Sequence, residues 1–171
     1  MDGARRRNAN MSDRAIESRQ LRDALGLFAT GVCLVATHDS GGEPCAVTVN
    51  SLSSVSLEPP LVLWSVQKDS DLYSVYRNAS RYSIAVLNDQ QQEHSIRYSQ
   101  KGSHKLLPEH FSVGESGAPV IPDALVNFEC SLMEAIDGGD HTILVGKVIN
   151  LLNGPGGKPL LYFGGNYRAL P

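Results

Sequence analysis

Cysteine is scarce: 171 residues hold only Cys33, Cys45 and Cys130, far apart and without a C-x-x-C pair. An odd, scattered set supports neither a disulfide framework nor a zinc site and fits a reducing compartment, so the expected location is cytoplasmic. Each cysteine lies in an apolar, strand-like run, where a free thiol behaves as a small hydrophobe. Long hydrophobic runs are absent too. Nowhere do about eighteen apolar residues follow one another, which excludes a membrane-spanning helix. Nor is there a basic excess: 15 Lys and Arg face 18 Asp and Glu, a formal net charge of -3. That balance leaves no electrostatic footprint for nucleic acid. Arg5-Arg6-Arg7 is a local exception and reads as solvated tail. The leading MDGARRRNANMSDR carries charge with no apolar stretch behind it, so a signal peptide is not expected.

Familiar signatures are missing as well. The histidines (His38, His94, His104, His110, His141) include no H-x-x-x-H pair, so no metal site is expected. Gly154-Pro155-Gly156-Gly157-Lys158-Pro159 fails the G-x-x-x-x-G-K-[ST] phosphate loop, because proline follows the lysine and no helix can open there. Gly114-Glu115-Ser116-Gly117 is not a nucleophile elbow.

What is present is a globular composition, 42% hydrophobic and 19% charged, of a length suited to one domain with a real core. Residues 1–17 read as a disordered polar tail and residues 18–171 as a single domain. Leu21, Ala24, Leu25 and Phe28 recur at helical spacing and predict a helix over 18–29. Strands follow at 32–37, 44–50, 61–66 and 82–87. Ser70 is a candidate N-cap for a short helix ending at Asn78, and Asn88 with Gln91 resembles a capping box opening a helix to about Gln100. Further strands are expected at 126–132, 141–151 and 160–163, the first two joined at Gly138-Gly139. Around seven strands with short turns and peripheral helices predict a mostly β, antiparallel barrel rather than a doubly wound sheet.

Three segments could carry chemistry. In TVNSLSSVSLEPP, residues 48–60, the alternation slips after Ser51, which indicates a bulge or bend turning hydroxyls and backbone amides outward together. Such neutral donors suit a phosphate or a ribityl chain; the other reading is a Ser-rich loop bonded to its own backbone. Asp140-His141 sits beside a hairpin turn, where the imidazole could donate, accept or charge near neutral pH, or simply be a half-exposed strand residue. Gly164-Gly165-Asn166-Tyr167-Arg168 ends a glycine turn in an aromatic and a cation. That pairing suits a planar ring and a phosphate, or else pins the chain terminus.

Read in order, LRDALGLFATGVCLVAT, TVNSLSSVSLEPPLVLWSV, YSIAVL, the Ser95-Ile96-Arg97-Tyr98 helix, GGDHTILVGKV and PLLYFGGNYRAL resemble the flavin reductase-like domain. This is the small reductase component of two-component flavin-dependent monooxygenases, and the resemblance covers residues 21–170. It implies an FMN-binding split barrel, usually a homodimer with flavin near the subunit interface. By position, Thr48, Val49, Asn50, Ser51, Ser53 and Ser54 would line the phosphate and ribityl side of the flavin. Lys68 and Ser70 would reach it from a neighbouring loop, and Lys105 would stand near its phosphate. His141 and Asn166-Tyr167-Arg168 match the side where the nicotinamide nucleotide approaches, with His141 as the expected catalytic residue.

The chain also departs from the family pattern. Ala85 lacks the amide often found in the strand motif, Gly102-Ser103-His104-Lys105-Leu106 keeps the cation but loses an acid and an aromatic, and G-E-V becomes Gly146-Lys147-Val148. The function implied is NAD(P)H:flavin oxidoreduction, with hydride passing from NADH or NADPH to FMN or FAD and the reduced flavin supplied to a partner monooxygenase. The alternatives are a flavin-binding electron carrier without NAD(P)H turnover, and an oxidase or oxygenase that keeps its flavin.

Overall fold

The computed structural model describes residues 16–170. Of the tail expected over residues 1–17, all but Ile16 and Glu17 lie outside the described residues, as does Arg5-Arg6-Arg7. In chain order the elements are α1 (Ser18–Leu25), β1 (Thr30–Gly31), β2 (Cys33–His38), β3 (Pro44–Val49), β4 (Ser53–Leu57), β5 (Pro60–Gln67), α2 (Tyr73–Asn78), β6 (Arg81–Val86), α3 (Gln92–Tyr98), β7 (Ser112–Val113), β8 (Pro119–Val120), β9 (Val126–Gly138), β10 (His141–Asn153), β11 (Leu160–Phe163) and β12 (Asn166–Ala169). Seven strands form one antiparallel sheet in the order β3-β2-β6-β9-β10-β5-β4. A three-stranded sheet, β1-β11-β12, and the pair β7-β8 complete an antiparallel split barrel with short peripheral helices. No helix among the described residues is long and apolar enough to cross a membrane.

The apolar run of β2 has a physical reason. Cys33 and Val35 face a core built on Trp64, Tyr76, Tyr82, Ile84 and Leu144, whereas Leu34 and Ala36 face a second core with Leu87, Tyr98, Leu106 and Ile121. A strand covered on both sides needs no polar alternation. Trp64 meets Tyr76 edge-on at 4.9 Å and Tyr82 at 5.9 Å between ring centroids, favourable aromatic geometry. All three cysteines are free and buried in these layers, and burial pushes each thiol pKa up to about 12.

Several boundaries differ from expectation. Helix α1 stops at Leu25 because Gly26 follows, a residue with little helical preference whose N–H closes the last turn on Arg22 O. Helix α2 has Leu72 at its N-cap position, and Ser70 acts two residues earlier by accepting the Leu72 N–H at 3.2 Å. The Asn88–Gln91 capping box forms, but around a 3-10 turn that leads into α3, and α3 ends at Tyr98. Thr30 and Gly31 leave the line of β2 to pair with Tyr162 and Leu161.

Candidate functional site

Residues 50–52 join β3 to β4, the two outer strands of the large sheet. This crossing is the polar stretch that interrupts the sequence pattern. Ser51 pins it to β5: its Oγ accepts the Ser65 N–H at 3.0 Å and donates back to Ser65 O at 3.4 Å. Beyond it, β4 pairs with β5 through a register shift between Ser54 and Ser56, so Val55 is the extra residue of a bulge. On the other side of the crossing, Thr48 Oγ1 donates to Ser95 O at 2.7 Å. Thr48 and Ser51 therefore spend their hydroxyls on holding the bend. The Asn50 amide and the Ser54 hydroxyl make no hydrogen bond among the described residues, and both residues are exposed.

Two cavities meet at Asn50. The larger, about 600 Å³, lies between the turn after α1 and the crossing, with Leu25, Phe28, Thr30, Ser51, Leu52 and Val86 among its walls. Thr30 contributes a buried hydroxyl that has no partner among the described residues. The smaller, about 210 Å³, is bounded by Thr48, Val49 and Asn50 on one side and Ser95, Tyr162 and Tyr167 on the other. Tyr167 is placed by a two-residue turn in which Gly164 and Gly165 both have positive φ (58° and 77°), a conformation that glycine adopts freely. Its ring meets Tyr162 edge-on at 5.4 Å, and its hydroxyl lies 2.8 Å from Ser95 Oγ.

The expected residues thus do not all fall together. Thr48, Val49, Asn50, Ser51, Ser53 and Tyr167 line the two cavities. Ser54, Asn166 and Arg168 lie on the same strands; Asn166 Nδ2 bonds Gly164 O at 2.9 Å, and Arg168 is exposed. Lys68 and His141 gather at the tip of the β9–β10 hairpin and Ser70 lies in the turn after β5, all three outside both cavities. His141 faces Gln67 in register, two residues along β5 from the Ser65 that holds Ser51. There Lys68 Nζ pairs with Asp137 Oδ2 at 2.6 Å, and Asp140 Oδ1 lies 2.8 Å from His141 Nδ1. The lysine contact holds the Asp137 carboxyl below its ordinary pKa, and the imidazole contact does the same for Asp140. Lys105 sits at the start of β3, bridged to Cys45 and ion-paired with Glu43, and lines neither cavity.

Thr30, Ser95 and Tyr162 are absent from the sequence-derived set. Thr30 lies within the LRDALGLFATGVCLVAT stretch. Ser95 had a weaker signal: with Gln91 and Tyr98 it forms an i, i+4, i+7 face on which all three residues are buried. A third cavity of about 720 Å³ opens at the opposite end of β2, and several of its polar groups are bonded within the fold. Thr37 Oγ1 donates to Arg81 O at 2.7 Å, Asp39 Oδ1 accepts two backbone N–H groups, and Ser116 is bound to Glu129.

Comparison with known proteins points to one family. The "FMN reductase (NADH) SmoA" of Agrobacterium fabrum is 41% identical over 150 residues, covering 88% of this chain and 84% of that one. The reductase component of the flavin-dependent trigonelline monooxygenase of Acinetobacter baylyi is 36% identical over 87% of this chain, which spans 48% of that longer relative. Among solved structures, the Streptomyces globisporus NADH:FAD oxidoreductase in complex with NAD and FAD fragments superposes with a TM-score of 0.83. It shares 34% identity, over 90% of this chain and 92% of the other. The flavin reductase like domain profile matches residues 25–171, and the chain belongs to that family.

Proposed function

We propose that the protein is an NAD(P)H:flavin oxidoreductase of the cytoplasm, with residues 18–171 forming its one domain. It passes hydride from NADH or NADPH to FMN or FAD and hands the reduced flavin to a separate flavin-dependent monooxygenase component. The observation that carries this reading is the pair of cavities meeting at Asn50. Cofactor pockets run from about 300 to 1,000 Å³; the 600 Å³ cavity lies in that range, and the 210 Å³ cavity is suited to a single ring.

The residues fit a flavin. Leu25, Phe28, Leu52 and Val86 give an apolar wall for a ring system, while the unpartnered Thr30 hydroxyl, the Asn50 amide and the Ser54 hydroxyl are neutral groups for ribityl and phosphate oxygens. Bound flavin supplies the two-electron acceptor. The chain's tasks are to hold both rings in reacting geometry and keep other arrangements out. Tyr167 packs against the nicotinamide side, Arg168 pairs with dinucleotide phosphates, and His141 orients the nicotinamide or moves a proton beside it. Lys68, Ser70 and Lys105 contact the outer part of the flavin or reach it across a subunit boundary.

A homodimer belongs to this reading. Helix α1 buries no residue in its own chain, and Leu21, Leu25 and Phe28 are 49%, 63% and 75% exposed, an apolar face that calls for a partner. Loss of NADH or NADPH absorbance with FMN or FAD tests the activity. No turnover in any of the four pairings overturns it, and a protein that then keeps flavin through gel filtration is an electron carrier instead. Light scattering that returns a monomer mass overturns the dimer.

A further inference from the structure

The small cavity has walls from two different sheets: Thr48 belongs to β3 of the seven-stranded sheet and Tyr167 to β12 of the three-stranded one. These strands share no backbone ladder. What connects them is Ser95, fully buried on α3. Its carbonyl accepts the Thr48 hydroxyl at 2.7 Å in addition to the helical N–H of Ser99 at 3.1 Å, and its own hydroxyl lies 2.8 Å from the Tyr167 hydroxyl. One residue therefore anchors both walls, one through its backbone and the other through its side chain. The Tyr167 ring, leaning on Tyr162 at one edge, has its tip held only by this hydroxyl among the described residues.

We propose that Ser95 is a positioning residue for reduced nicotinamide: it fixes the Tyr167 ring at the distance from Thr48 that admits the nicotinamide ring beside the flavin. The inference rests on the reductase reading above. Because the Thr48 contact uses the backbone, Ser95→Ala removes the Tyr167 tether alone. It touches neither the hairpin histidine nor the larger cavity, so substrate affinity changes and the chemical step does not.

The test is steady-state kinetics of wild type, Ser95→Ala, Tyr167→Phe and the double variant, with NADH and NADPH varied at saturating FMN or FAD. Ser95→Ala is expected to raise KM for the nicotinamide about 3- to 10-fold, the size of one lost uncharged hydrogen bond, with kcat and flavin affinity within about 2-fold of wild type. Tyr167→Phe should do the same, and the double variant should add nothing further. An active wild type with an unchanged KM in Ser95→Ala, or full additivity in the double variant, overturns this inference alone. A lowered melting temperature with unchanged KM does so too, since it makes Ser95 structural. Should Ser95→Ala fail to fold, Tyr167→Phe, altered in a half-buried residue, decides by the same KM criterion. A wild type without turnover removes the reductase reading and this inference together.

Discussion

Glu129 and Asn150 face each other across β9 and β10, and Asn150 Nδ2 donates to Glu129 Oε2 at 2.6 Å. The other carboxylate oxygen takes the Ser116 N–H at 2.8 Å and the Ser116 hydroxyl at 2.5 Å, in a residue only 1% exposed. Burial by itself would raise this carboxyl's pKa, but the Ser116 and Asn150 donors outweigh it and hold the group below its ordinary value. A carboxyl with a folded-state pKa below its unfolded one stabilises the fold above the unfolded value, near pH 4.3 for glutamate, and loses that contribution as pH falls through the folded value. Glu129→Gln should therefore cost about 1–3 kcal/mol at neutral pH. Urea unfolding at neutral pH and at pH 3.5 checks this; the gap to wild type should narrow at the lower pH.

Gly146 leaves room for a neighbour. A Cβ added there would collide with the Tyr82 hydroxyl and stand 3.2 Å from Cys130 Cβ, inside a fully buried layer. Gly146→Ala should destabilise by about 1–3 kcal/mol through overpacking. Tyr82→Phe removes the obstructing hydroxyl, which has no partner among the described residues. The same glycine substitution made in the Tyr82→Phe background should cost measurably less, a coupling that chemical denaturation of the four proteins resolves.

The thiols should be inert in the folded protein. Burial raises Cys33 to about 12, and Cys45 and Cys130 reach the same range with added repulsion from Asp39 and Glu129. At pH 8 a disulfide-exchange reagent should label essentially none of them in the native state and all three after denaturation. Rapid native labelling of any cysteine would contradict the burial described.

His141 stands outside the cavities with Asp140 on its Nδ1. On the proposed role, His141→Ala should lower turnover by about 100- to 1,000-fold, the lower part of the range for acid–base groups, while changing flavin affinity by less than about 3-fold. Parallel kinetics and flavin fluorescence titration separate the two quantities. Wild-type values of both would remove the role from His141.

Local signals in the sequence were the legible ones. Alternation from Val126 marks β9, Gly138-Gly139 marks its hairpin, and the Asn88–Gln91 box is readable because both partners sit within four residues. The bend after Ser51 is likewise visible as a slipped period. What escaped depends on distant partners. Thr30-Gly31 falls between the expected helix and strand, with nothing nearby to show that Tyr162, more than a hundred residues on, pairs it into another sheet. Ser95 is an ordinary helix serine except for Thr48 and Tyr167, 47 and 72 residues away. Lys105 illustrates the converse: residue type and motif suggest a phosphate contact, while Glu43, remote in sequence, occupies its charge.

The crossing at residues 50–52 has a mechanical side. Four Cα steps separate Val49 from Ser53, so the outer strands can stand no more than about 14 Å apart at that end. At the other end, between the start of β3 and Leu57, no such tether acts. The barrel's seam is thus stitched beside Asn50, and the short crossing fixes the reach between the cavity walls that Thr48, Val49 and Ser53 supply.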